Sequence, residues 1–207
     1  TEEGEYGPIE LNLAYDSAKV PHVSYHLGDV GSVRYASKVD GAWTTSEIYP
    51  TGTYSGLALD STDGVHVTFH DSSNDSLKYA TLVDDEWTIE TVDDSARVGW
   101  YCDLQMDPFD RPQIAYFDMA NFALRHAIKV NADWIVTTLD EGEADPILGS
   151  MVGWELSLAV DREGNAHVSY YDMVNTRLLY TRYDLSKPVT EVVHEDANPS
   201  EKSSENG

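Results

Sequence analysis

The sequence predicts an all-β protein, a β-propeller of four antiparallel four-stranded blades. Three observations carry that expectation. One unit recurs four times with its marker residues in register. Inside each unit, apolar and polar residues alternate with period two, and helical periodicity is absent. Turn residues fall at the same places in every copy.

The register is set by Asp16, Asp60, Asp107 and Asp161, at spacings of 44, 47 and 54 residues, each closing a strand-like run. Six positions on stand His22, His66, Gln113 and His167, which open HVSY, HVTF, QIAY and HVSY. Thirteen further come Tyr35, Tyr79, His126 and Tyr180. Eight beyond those lie Trp43, Trp87, Trp134 and, in the last copy, Pro188.

Each copy divides into four predicted strands, here A to D. In strand A of the last copy, Leu156, Leu158 and Val160 alternate with Glu155, Ser157 and Ala159. The position opposite the apolar face is small in three copies, at Ala14, Ala58 and Ala159, with Gln105 in the third, so inner strands can approach an axis. Strand B is of the type AHVSYYD, strand C of the type TRLLYTR, and strand D starts at the tryptophan. Turns such as DREG join A to B, and DSSN, DMAN or DMVN join B to C. Asp, Asn and Gly suit them because they tolerate left-handed backbone or bond their own main chain.

The blades are expected at about 9–52, 53–99, 100–152 and 153–194 of a propeller domain spanning 1–194. An insertion, EGEADPILGSM at 141–151, stretches the third spacing. Residues 195–207 lack aliphatic and aromatic bulk and read as a flexible tail or linker. Two closures are open: a single ring in which the first copy packs on the fourth, which is the favoured reading, or an arc completed by oligomerisation.

Composition narrows the function classes. With 37 acidic against 13 basic residues the formal charge is −24, which argues against nucleic acid and anionic membranes as partners. Cations, polar neutral ligands or basic proteins suit such a surface. Cys102 is the one cysteine and lacks basic neighbours, so it reads as a small strand residue rather than a reactive thiol. No apolar run approaches the length of a membrane-spanning helix, so membrane insertion is not expected.

The units TYSGLALDSTDGVHVTFHDSSNDSLKYA and VGWELSLAVDREGNAHVSYYDMVNTRLLYT resemble the secreted propeller repeats of many bacteria and archaea. Those carry the pattern G-x-Y-x-S-L-A-x-D-x-x-G-x-x-H-x-S-Y-x-D-x-x-N-x-x-L-x-Y-A followed by a Trp-led strand. The resemblance covers residues 8–193 and is distantly shared with sialidase-like and lectin-type propellers. It implies a secreted or cell-surface protein. The first copy departs from it, with Leu27 and Val30 in place of the turn Asp and Asn, as does the last with Pro188. Atypical end repeats are usual in repeat arrays.

In a propeller the D–A connections and B–C turns surround the axis on one face. The ligand-binding candidates there are Tyr54, Trp100, Tyr101, Asp103, Trp154 and Glu155, from the starts of the A strands. Aromatic faces beside carboxylates are what sugar recognition needs, since rings stack on C–H surfaces while acids and amides fix hydroxyls. Trp100 and Trp154 read equally as blade-to-blade packing. The ring Asp16, Asp60, Asp107 and Asp161 is a weak candidate for a cation such as calcium, and each acid otherwise caps its own turn. His22 with His26, and His66 with His70, lie four apart on one strand face, about 13 Å, too far to share one ion.

No G-x-S-x-G, H-E-x-x-H or P-loop pattern occurs, and no carboxylate pair is singled out. The expected function is therefore a non-catalytic, lectin-like module for a glycan or other polar small molecule, with no cofactor assigned beyond candidate calcium. The alternative is a protein-interaction or homo-oligomeric scaffold that docks through its acidic face.

Overall fold

The computed structural model describes residues 7–28, 31–142, 152–184 and 187–195, with backbone only at 187 and 188. The tail beyond 195 and most of the 141–151 insertion lie outside the described residues. Four sheets account for the fold, each a four-stranded antiparallel meander in chain order. Blade 1 holds β1 (Pro8–Tyr15), β2 (Pro21–Leu27), β3 (Ser32–Val39) and β4 (Ala42–Tyr49). Blade 2 holds β5 (Gly52–Leu59), β6 (Val65–Asp71), β7 (Ser76–Val83) and β8 (Glu86–Asp93). Blade 3 holds β9 (Val98–Met106), β10 (Pro112–Asp118), β11 (Ala123–Val130) and β12 (Asp133–Asp140). Blade 4 holds β13 (Val152–Val160), β14 (Ala166–Asp172), β15 (Arg177–Asp184) and β16 (Lys187–Glu195). The predicted propeller of four blades is what the chain forms.

The repeat markers hold each blade together. Oδ1 of Asp60 accepts from the backbone N–H groups of Thr62 and Gly64, both at 2.8 Å, and so fixes the A–B turn. Its Oδ2 lies 3.1 Å from Nε2 of His66, whose Nδ1 meets the Tyr79 hydroxyl. The same acid–imidazole–phenol chain runs through Asp161, His167 and Tyr180. In blade 3 the order is reversed, and Gln113 accepts from Nε2 of His126 at 2.9 Å. The B–C turns close on themselves: Asn74, Asn121 and Asn175 donate from Nδ2 to Asp71, Asp118 and Asp172 at 2.7–2.9 Å.

Blades pack face to face through aliphatic and aromatic side chains. Val33, Tyr35 and Ile48 of blade 1 meet Leu57, Val67 and Phe69 of blade 2. Leu77, Tyr79 and Val92 of blade 2 meet Leu104, Ile114 and Tyr116 of blade 3. Leu124 and Leu139 of blade 3 meet Leu158, Val168 and Tyr170 of blade 4. Strand D tryptophans reach backwards, Trp87 edge-on to Tyr35 at 5.4 Å and Trp134 edge-on to Tyr79 at 5.1 Å. Among the described residues no such cluster joins blade 4 to blade 1. The four blades thus form an arc, with no apolar seam between the first and the last among the described residues. Both acidic partners of Arg125 are buried where blades 2 and 3 meet: Nη1 lies 3.0 Å from Asp93 and Nη2 2.8 Å from Asp118.

Candidate functional site

The four innermost strands share one irregularity. Pairing with strand B slips between Ile9 and Asn12, between Thr53 and Gly56, and between Trp154 and Ser157. A matching break interrupts the β9–β10 pairing beside Trp100. Inside each break one non-glycine residue adopts left-handed backbone: Glu10 at φ 54°, Tyr54 at 52°, Tyr101 at 52° and Glu155 at 47°. All four stand six positions before the marker aspartate, so they are one slot of the repeat. A bulge re-aims a side chain, and each left-handed residue of this kind costs on the order of 1–2 kcal/mol. The strain recurs in all four blades, at the same slot of the innermost strand.

These side chains line an open cleft of about 290 Å³, together with Leu11, Asn12, Ser55, Cys102 and Leu156. Its floor is aromatic, with the rings of Tyr54 and Tyr101 4.7 Å apart and tilted. Its two ends are acidic, Glu10 from blade 1 and Glu155 from blade 4. Glu10 is held in place, since its Oε2 accepts from the Tyr54 backbone N–H at 2.7 Å and lies 3.1 Å from Nδ1 of His26. Glu155 is exposed. Burial raises the Tyr54 hydroxyl well above the usual phenol range, and its neighbours Tyr101, Glu10 and Glu155 add to that. Burial also raises Tyr101. Both phenols are therefore neutral at physiological pH and available as hydrogen-bond donors.

The six ligand-binding candidates divide by location. Tyr54, Tyr101 and Glu155 line the cleft. Trp100 packs on Tyr54 and His70, with ring centroids at 5.3 and 5.1 Å, and so sits in the blade 2–blade 3 seam. Trp154 sits likewise against Tyr101 at 5.2 Å and Phe117 at 6.1 Å. Asp103 ties two blades: it accepts from the N–H groups of Leu104 and, across the seam, Leu158, both at 2.8 Å. Burial raises its pKa and those two amides oppose the rise. Glu10 and Asn12 belong to the cleft without having been singled out in the sequence. The signal for Glu10 was present, because it is the repeat partner of Tyr54, Tyr101 and Glu155.

The marker aspartates are spent on their own turns. Asp107 accepts from the N–H groups of Phe109 and Arg111 and from Nε of Arg111, and Asp16 from the N–H of Val20. Hydrogen bonds from Asn165 and His167 hold Asp161 well below the usual carboxylate range. Among the described residues no three His, Cys, Asp or Glu side chains come together as a metal site. Cys102 is buried against the Tyr54 carbonyl, and burial raises its thiol.

No protein-family profile matches the chain, and no curated protein matches it. Solved structures do. A protein of unknown function from Dyadobacter fermentans aligns over 94% of this chain and 71% of its own, with TM-score 0.69 and 8% identity. A GH43 β-1,3-galactosidase aligns over 96% and 80%, with TM-score 0.57 and 11% identity. An α-L-arabinofuranosidase from Fusarium graminearum aligns over 89% and 66%, with TM-score 0.57 and 14% identity. In other matches the chain spans less than half of the solved protein. At these identities the likeness is one of fold. It nevertheless corrects one expectation. Glycosidases and a polysaccharide lyase are built on this fold, so the lack of a signature motif is no ground for a non-catalytic protein, and that reading is withdrawn. What the comparisons establish is a propeller-type repeat protein on a fold shared with carbohydrate-cleaving enzymes.

Proposed function

We propose that the protein acts on carbohydrate, binding a glycan across the axial cleft. The observation that carries this is the single repeat slot filled as Glu, Tyr, Tyr, Glu and turned to the axis by four matched bulges. Tyr54 and Tyr101 supply ring faces for the C–H surface of a sugar, and Asn12 and the two glutamates supply partners for its hydroxyls. The fold likeness to glycosidases supports the ligand class. One further observation favours bond cleavage: two carboxylates, Glu10 and Glu155, face one cleft from opposite ends of the array. Glycoside hydrolysis uses such a pair, one as acid and the other as base or nucleophile.

The test is a glycan array followed by calorimetry on any hit, with Tyr101→Ala and Tyr54→Ala. Each truncation is expected to weaken binding by about tenfold, the worth of roughly 1.4 kcal/mol of ring contact. A panel of chromogenic glycosides with Glu10→Gln and Glu155→Gln reads the second step. An array without a hit, or full-strength binding by Tyr101→Ala, would sink the proposal.

A further inference from the structure

Several positions that the internal seams bury are exposed on the two outer faces of the arc, although Tyr25 and Leu27 of blade 1 are only 8% exposed. Position by position, Leu57, Leu104 and Leu158 are 8%, 0% and 3% exposed, whereas Leu13, their counterpart in blade 1, is 60% exposed. On the opposite face Val33, Leu77 and Leu124 are each 0% exposed, whereas Leu178 of blade 4 is 41%. One strand further out, Ile48, Val92 and Leu139 are 4–8% exposed and Val193 is 58%. Trp43 is exposed too, although Trp87 and Trp134 in the same slot each pack on a tyrosine of the preceding blade. The faces are thus unfinished copies of one established interface, and opposite halves of it. Apolar side chains so aligned are an interaction surface rather than scattered exposure.

The width of the opening selects the occupant. Glu10, Leu11 and Asn12 of blade 1 line the same cleft as Glu155 and Leu156 of blade 4, so the two ends converge at the axis. A second copy of the chain would bring four blades to a gap that narrow. The match covers 80% of the GH43 galactosidase, so that solved protein holds more structure than these four blades supply. We propose that the open side of the array is the docking slot for one further four-stranded blade of this repeat type. That blade carries an aliphatic strand A face for Leu178 and Val193, and strand C and D aliphatics for Leu13 and Trp43. The slot stands whether or not the cleft binds a glycan.

The experiment supplies the blade from the chain's own repeat. A second copy of residues 50–93 is fused after Glu195, so that tethering makes fit rather than affinity the quantity measured. The fused chain is expected to melt about 5 °C or more above the parent. It should also shift Trp43 fluorescence to the blue and lose binding of an apolar dye. A control fusion with Leu57→Asp in the appended copy should lose these gains. Leu13→Asp should leave the melting temperature of the parent unchanged and lower that of the fusion. Equal melting of parent, fusion and control would overturn the proposal. So would a parent that sediments as a dimer and becomes a monomer on Leu13→Asp, because the occupant is then a second copy.

Discussion

Replacing His126 with glutamine should flatten the stability of this protein between neutral and mildly acidic pH. His126 is 1% exposed, in the seam between blades 3 and 4, with its ring 5.2 Å from that of Tyr183. Nε2 donates to Gln113, and Nδ1 has no hydrogen-bond partner among the described residues. Burial without a compensating charge pushes its pKa down to about 4, against roughly 6.5 in an unfolded chain. Above about pH 6.5 neither state is protonated there, and the contribution is fully present. As pH falls from about 6.5 to 4, the unfolded chain binds a proton that the folded chain refuses, so stability drops. By pH 5 the loss is about 2 kcal/mol, and below pH 4 it levels off near 3 kcal/mol. His126→Gln keeps an N–H donor for Gln113 and cannot titrate. His70, which burial also lowers, is unchanged in the variant and cancels from the comparison. Urea unfolding at pH 7.5 and pH 5.0 should show the parent losing about 2 kcal/mol more than the variant. A difference under about 0.5 kcal/mol would refute the reasoning, for it would mean that the folded seam admits the proton.

Three further outcomes follow from named contacts. Arg125→Met leaves the buried carboxylates Asp93 and Asp118 without their shared cation, and should cost about 3 kcal/mol in denaturant unfolding. Gly56→Ala would set a Cβ 2.8 Å from the Leu104 amide nitrogen and 3.2 Å from Asp103 Cα. Those atoms are backbone of the next blade and cannot swing away, so a loss of about 2 kcal/mol is expected, read as a lower melting temperature. Glu155→Gly relieves a left-handed residue, and its stability should stay level or rise by up to about 1 kcal/mol while glycan binding weakens. A clear drop in its melting temperature would show that the bulge is built for stability.

How much was legible in the sequence follows from which interactions are local. The marker residues act within their own blade: Asp60 caps a turn four residues long, and His66 meets Tyr79 thirteen residues on. Such contacts recur with the repeat, so the blade, its strand order and its turns could be read from spacing alone. The cleft was partly legible. Tyr54, Tyr101 and Glu155 stand out beside the A strands, whereas Glu10 lies in the least regular copy and is visible only through the shared slot. Trp100, Trp154 and Asp103 have the same composition as a sugar site, and their use in the seams depends on the neighbouring blade.

By itself the sequence determined four blades of four strands, because period-two alternation and turn chemistry are properties of neighbours along the chain. Tertiary structure decided the rest. Whether Leu13 meets what Leu57 meets depends on the accumulated angle between blades, which no residue spacing records. Which side chains reach the axis depends on a bulge, where one added residue reverses the face that alternation would assign. The arc, its open slot and the Glu–Tyr–Tyr–Glu cleft are therefore facts of packing, resting on a repeat that the sequence states outright.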